Sequence, residues 1–315
     1  MALAALFAAA LAGVAYSVMS IGYKLAEVRM CRVPAFGLAF SGSAALLTLG
    51  VALCGHPAWG DWRLWALGVG SGVLFMPAMF MVVHAFRAGS AAVAWTLLNL
   101  SLLIPILLAP MLFHEPLLLV DLASLLAFLL MLGAFAWGMD PADPHRPGTH
   151  PARFAIIVTV LFCINGFFQL LQKVESMCFH TNADAAGFSA IFYTTGALLA
   201  LLTLLIQTRR VHLTRDEAQA GVIGGVCSAT GVLLMLFSLG GVLPAIVVLP
   251  VAQGLALIGG VAVAVRVFAE RLNGYKLAGL ALGVVVLLLA AFRGPLAARF
   301  SPVPSPALVQ VQHHG

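Results

Sequence analysis

The sequence predicts an all-α membrane protein of ten transmembrane helices, arranged as two inverted five-helix repeats. Three observations carry that expectation. Hydrophobic residues make up 62% of the chain and charged residues only 9%, whereas roughly a quarter of an ordinary soluble domain is charged. The apolar residues fall into long runs, each near the ~20 residues a helix needs to cross a ~30 Å hydrocarbon core. The runs also recur in pattern. Phe113-His114-Glu115-Pro116-Leu117 separates two apolar spans, and Phe268-Ala269-Glu270-Arg271-Leu272 does the same later in the chain.

Taken in order, the apolar runs place spans at about 2–22, 34–54, 64–86, 91–113, 116–138, 154–173, 184–207, 218–239, 242–266 and 273–292. The first begins without a basic segment ahead of it and is read as a span, not a signal peptide. Between residues 139 and 152 the chain carries Pro141, Pro144, Pro147 and Pro151 with Asp140 and Asp143. Proline at that density cannot continue a helix, so this stretch is a linker. It divides the sequence into a first half, 1–138, and a second, 153–293. The tail, 294–315, with repeated prolines and terminal histidines, is expected to be disordered. Cys31, Cys54, Cys163, Cys178 and Cys227 show no ligand or redox spacing and are read as unpaired thiols.

The halves share more than length. An amide precedes each glutamate inside the adjoining span, Asn99 before Glu115 and Gln253 before Glu270. Aligning Lys24 with Lys173 sets Tyr16 against Asn165 and Ser20 against Gln169. Five spans per half is odd, so the second copy must insert upside down, as in many transporters whose substrate site lies where the repeats meet.

These features resemble the drug/metabolite transporter superfamily, in its branch with paired EamA-like domains. The segments that carry the likeness are Ser90 to Pro116 and Val261 to Leu280, and it extends over essentially 1–293. It implies that spans one to four and six to nine surround a central cavity, with spans five and ten peripheral. It also implies a multi-pass protein of a plasma membrane, of the bacterial inner-membrane kind, with both termini in the cytoplasm. Charge counting points the other way. Lys and Arg crowd the connections after odd-numbered spans, Arg29, Arg32, Arg209, Arg210 and Arg215 among them, which places both termini outside.

Amides and ionisable groups within hydrocarbon are functional candidates because burying them is costly. Asn165 and Gln169 share a helix face, being four residues apart. With Asn99, Gln253, Tyr16, Ser20 and Trp95 they are expected to line one cavity for a small polar solute. Clipping helices together is the alternative use of such amides. Lys24 and Lys173 would meet an anionic substrate group or, alternatively, snorkel to the headgroups. Glu115 and Glu270 are repeat markers, each near the positive end of the next helix. The first span lacks the carboxylate that small multidrug resistance proteins use there. His84 and Asp121 are further ionisable candidates. Pro77, Pro105, Pro110, Pro244 and Pro250 are read as kinks, and the glycines at 68, 70, 72, 221, 224 and 225 as packing residues.

The function expected is secondary transport, in the direction of export, of a small polar metabolite such as an amino acid by alternating access. A proton or another ion is a candidate for coupling. Neither metal nor cofactor is expected, nor a nucleic-acid partner, since no basic run can track phosphates. The chain would act as a monomer or homodimer. A polytopic enzyme acting on a lipid is the alternative, and a membrane chaperone a third. For an enzyme the nearest polar cluster is His212, Arg215, Asp216 and Glu217, read as a solvated loop with an acidic helix start.

Overall fold

The computed structural model describes residues 2–88, 98, 101, 103–113, 118–138, 151–179, 181–240, 243–267, 274–292 and 296. Among these residues there is no strand, and the helices are α1 (Ala2–Val28), α2 (Val33–Cys54), α3 (Trp62–Ala88), α4 (Leu103–Phe113), α5 (Leu119–Gly138), α6 (Pro151–Cys178), α7 (Asn182–Thr208), α8 (Arg215–Leu239), α9 (Ala245–Val267) and α10 (Gly274–Ala291). Five of them, α1, α2, α3, α7 and α8, are long and apolar enough to cross a membrane. Their outer surfaces fit that environment. Leu3, Phe7, Leu11, Val14 and Val18 form an exposed stripe at helical spacing on α1, and Leu198, Leu202, Leu205 and Ile206 do so on α7. Water would penalise such patches, whereas lipid tails match them. This is the architecture of an all-α, multi-pass membrane protein.

Neighbours in sequence are not the main neighbours in space. α1 packs chiefly on α8 and α9, α2 on α7 and α8, and α3 on α7 and α6. α4 leans on α6, while α5 and α10 pair with each other and touch the remainder mainly through α9. Most of this packing joins helices before residue 138 to helices after residue 151.

Small residues make the close approaches. A side chain at Gly221 would run into Ala39 and the Phe40 backbone, and one at Gly225 into the Phe40 carbonyl and Ser43, so α8 lies directly on the α2 backbone. Gly68 and Gly72 bring α3 equally close to Ile191, Phe192 and Thr195 of α7. The centre is aromatic: Phe75 stacks edge-on to Phe192 and Tyr193, with ring centroids 5.4 and 5.7 Å away, and Phe168 lies 5.5 Å from Phe75. Edge-to-face contacts of this kind add directional energy to the area they bury.

Several helices overrun the apolar runs that announce them. α1 continues past its run through Lys24 and Glu27, and α6 past residue 173 through Glu175. Hydropathy stops at a polar residue, but the backbone does not when the polar side chain turns toward a neighbouring helix. Pro77 and Pro250 do lie inside helices, and Pro105 is buried in α4. Pro244, expected within a span, instead precedes α9, where its carbonyl accepts the Val247 and Val248 N–H groups. Asp121 is buried in the first turn of α5 and accepts the Leu118 N–H at 3.0 Å.

Candidate functional site

A cavity of about 100 Å³ lies between α1, α3, α6, α8 and α9 and reaches Leu98 just ahead of α4. Its polar lining is Tyr16, Tyr23, Asn165, Gln169, Gln172, Ser228 and Gln253; Met19, Met79, Met235, Phe75 and Phe168 supply much of the apolar wall. No charged side chain is among the described lining residues. A neutral surface with several donors and acceptors and a flexible thioether wall suits a small polar solute with an apolar part.

Four residues expected to share a cavity do so: Tyr16, Asn165, Gln169 and Gln253. Ser20 is elsewhere occupied, donating back to the Ser17 carbonyl at 2.6 Å. Lys24 is half-buried and pairs with Glu27 one turn on, at 2.9 Å, without reaching the cavity. Lys173 is only 2% exposed, contrary to a snorkelling role, and it too is absent from the lining. Trp95, Asn99, Glu115 and Glu270 lie outside the described residues. His84 is exposed.

Both uses of a buried amide occur together here. Asn165 Nδ2 donates to Ser101 Oγ at 2.7 Å and to the Leu98 carbonyl at 3.3 Å, and Gln169 Nε2 reaches the same hydroxyl at 3.3 Å. These bonds fasten α6 to the chain entering α4, where Ser101 and Ile104 make three-residue backbone bonds. Their acceptor ends are left for the cavity, and Gln169 Oε1 is buried without a partner. On α8, Ser228 shares a 2.7 Å hydrogen bond with Tyr193 of α7, and Tyr16 points its hydroxyl at Met235 Sδ, 3.8 Å away.

Gln172, Tyr23 and Ser228 were not anticipated. Gln172 had a signal, since it follows Gln169 by three residues on the same helix face, and the lysine alignment sets it opposite Tyr23. Ser228 had none, being one of three hydroxyl residues on α8 with nothing in its spacing to set it apart from Thr230 and Ser238.

One end of the bundle is closed by ion pairs. Glu217, at the third position of α8, is 3% exposed. It accepts Arg32 Nε at 2.8 Å, Arg32 NH2 at 2.9 Å and the Arg32 backbone N–H at 3.1 Å, and completes a capping box with Thr214. The Glu217 hydrogen bond raises the Arg32 pKa above its ordinary value, so the guanidinium stays charged. Arg29 meets Asp216 at 2.6 Å nearer the surface. The cluster at 212–217 is an exposed connection with an acidic helix start, His212, Arg215 and Asp216 all lying at the surface, and Glu217 alone is drawn inward because the turn after α1 brings Arg32 to it. Glu217→Ala should cost about 2–4 kcal/mol, combining a charge-assisted bond and a helix cap. Asp216→Ala, at a more exposed pair, should stay within about 1 kcal/mol. Thermal unfolding of the two variants in one detergent checks this, and equal losses would refute it.

Among the described residues no group of three or more His, Cys, Asp and Glu could hold a metal ion. No protein-family model and no curated protein matches the sequence. Among solved structures, a crystal structure described only as that of a protein is similar at a TM-score of 0.69 and 18% identity, covering 94% of this chain and 98% of the other. Likeness at that identity shows the fold alone.

Proposed function

We propose that the chain is a secondary transporter of a small polar solute, built from two inverted five-helix repeats and belonging with the paired EamA-like drug/metabolite transporters. The observation that carries this reading is the cavity itself. It is uncharged, carries several polar groups on a mainly apolar wall and is lined from both halves of the chain, with Tyr16 and Asn165 at equivalent places in the lysine alignment.

The packing supports the repeats. Exchanging α1 with α6, α2 with α7, α3 with α8, α4 with α9 and α5 with α10 turns α1 on α8 into α6 on α3. The same exchange turns α1 on α9 into α6 on α4, and α2 on α8 into α7 on α3; α2 with α7 and α5 with α10 map onto themselves. The exchange holds residue by residue. Gly221 and Gly225 against Ala39, Phe40 and Ser43 correspond, at one constant offset per helix, to Gly68 and Gly72 against Ile191, Phe192 and Thr195. Ser17 against Gly259 corresponds to Gly166 against Ile104, with the small residue on the opposite partner. Equivalent helices run antiparallel because the repeat is five spans long, an odd number. A two-fold axis in the membrane plane then relates the halves, and alternating access follows by rocking one against the other.

The test is uptake of a labelled amino-acid and small-metabolite panel by proteoliposomes under an imposed pH gradient. Gln253→Leu keeps shape but removes an amide from the lining. For the solute that moves, it should raise KM about ten-fold or more, the loss of one or two hydrogen bonds to a buried partner. Failure of every solute to move would remove the transport reading.

A further inference from the structure

Gln169, Gln172 and Glu175 follow one another at i, i+3 and i+6 on α6, and they are 5%, 1% and 1% exposed. Gln169 Oε1, both amide atoms of Gln172 and both carboxylate oxygens of Glu175 have no hydrogen-bond partner. A carboxylate held charged and unpaired in such a place is strongly disfavoured.

Each group around Glu175 bears on its charge. Asp184, at the start of α7, is within electrostatic reach and adds a like charge. Asp184 is itself held by the Ala58 N–H at 2.8 Å and the Thr181 hydroxyl at 2.6 Å. Lys173, two residues earlier on α6, is buried and engaged in an interaction. Toward α6, α3 presents Gly70 and Phe75, α4 presents Ile104, and α8 lines the shared cavity with Ser228, Val232 and Met235. Asp61 is half-buried and Arg63 exposed at the start of α3. His114 and Glu115 lie outside the described residues. Of the groups that can occupy a closed pocket around two carboxylate oxygens, a proton alone needs no volume. Gln172 lies one helical turn from Glu175 toward the cavity, which it lines. Met177 and Cys178, just beyond Glu175, are exposed. Asp184 ties this end of α6 to the turn between α2 and α3 through the Ala58 N–H, and Arg63 is exposed there, so Glu175 stands between the cavity and the end of the bundle where α2 turns into α3.

We propose that Glu175 is the proton-coupling site of the carrier, taking one proton from water at that end and giving it up on the cavity side of Gln172. The step is balanced: the carboxylate gains a proton to become a neutral acid, and loses it again when the cavity faces the other way. The inference rests on the transport reading. It also explains an asymmetry of the repeats, since the position equivalent to Glu175 on α1 is Ala26, a residue that cannot titrate.

Infrared difference spectra of the full-length protein in lipid, recorded between about pH 5 and 9, test the site without any solute, in a range set by how far burial shifts carboxyl titration. A protonated-carboxyl C=O band that titrates in the parent, persists shifted in Glu175→Asp and vanishes in Glu175→Gln is expected. A band unchanged in Glu175→Gln, or no such band in the parent, overturns the proposal. With a transported solute from the amino-acid panel, Glu175→Gln should lose accumulation driven by the pH gradient, at least ten-fold, yet retain solute exchange. Undiminished accumulation in that variant overturns coupling at Glu175. A parent protein that moves no solute, whatever the infrared result, overturns the transport reading and with it the coupling.

Discussion

Gly225→Leu is expected to destabilise the protein by about 3 kcal/mol or more, at or beyond the upper end of the usual cost of overpacking. The obstacle is backbone: a side chain here meets the Phe40 carbonyl of α2 and the Ser43 hydroxyl, and a helix axis cannot sidestep as a flexible side chain can. Gly72→Leu should cost a similar amount, because it meets the Phe192 carbonyl at 2.6 Å and Thr195 in the matching seam. Gly42 and Gly50 on α2 supply the control, having nothing within 4 Å of an added carbon. Leucine at either should be neutral or gain a few tenths of a kcal/mol from helix propensity. Unfolding of the four variants in detergent decides the matter, and a Gly225→Leu variant as stable as Gly50→Leu would show that α2 and α8 do not meet as described.

Ala78→Phe is expected to abolish most transport while leaving the fold in place. Ala78 lies on α3, is 5% exposed and lines the cavity, so the new ring has that space to enter. A loss of at least ten-fold in kcat/KM is anticipated, corresponding to about 1.4 kcal/mol or more. The unfolding transition should move by no more than the ~1–3 kcal/mol typical of small-to-large changes. Uptake by proteoliposomes and detergent unfolding on the same preparation measure both, and unchanged uptake would place the solute path elsewhere.

The sequence made the helices legible because lipid imposes one rule on every span, a long apolar run. It was less informative about where helices stop. Glu27 and Glu175 lie beyond the apolar runs but still inside helices, both buried within the bundle. Within the site, Asn165 and Gln169 stood out because an amide is rare in such surroundings. The pairing of Glu217 with Arg32 could not be read, as 185 residues separate them and only the packing of α8 on α1 and α2 brings them together. The role of Ser101, which takes both α6 amides, was equally hidden, because a hydroxyl in a helix ordinarily satisfies itself on its own backbone.

The preference of each helix for partners in the other half has a consequence for synthesis. When the first 138 residues have entered the bilayer, the surfaces that α1, α2 and α3 bury are still bare, because α6, α7, α8 and α9 do not yet exist. At about 5–20 residues per second, the last of those partners is complete only roughly 6–26 seconds later. During that wait Ser17 lacks the Leu255 and Ala256 carbonyls, and Arg32 lacks Glu217. The nascent first half is therefore an open assembly intermediate, in need of shelter at the insertion site, and the last helices to arrive complete the structure of the first.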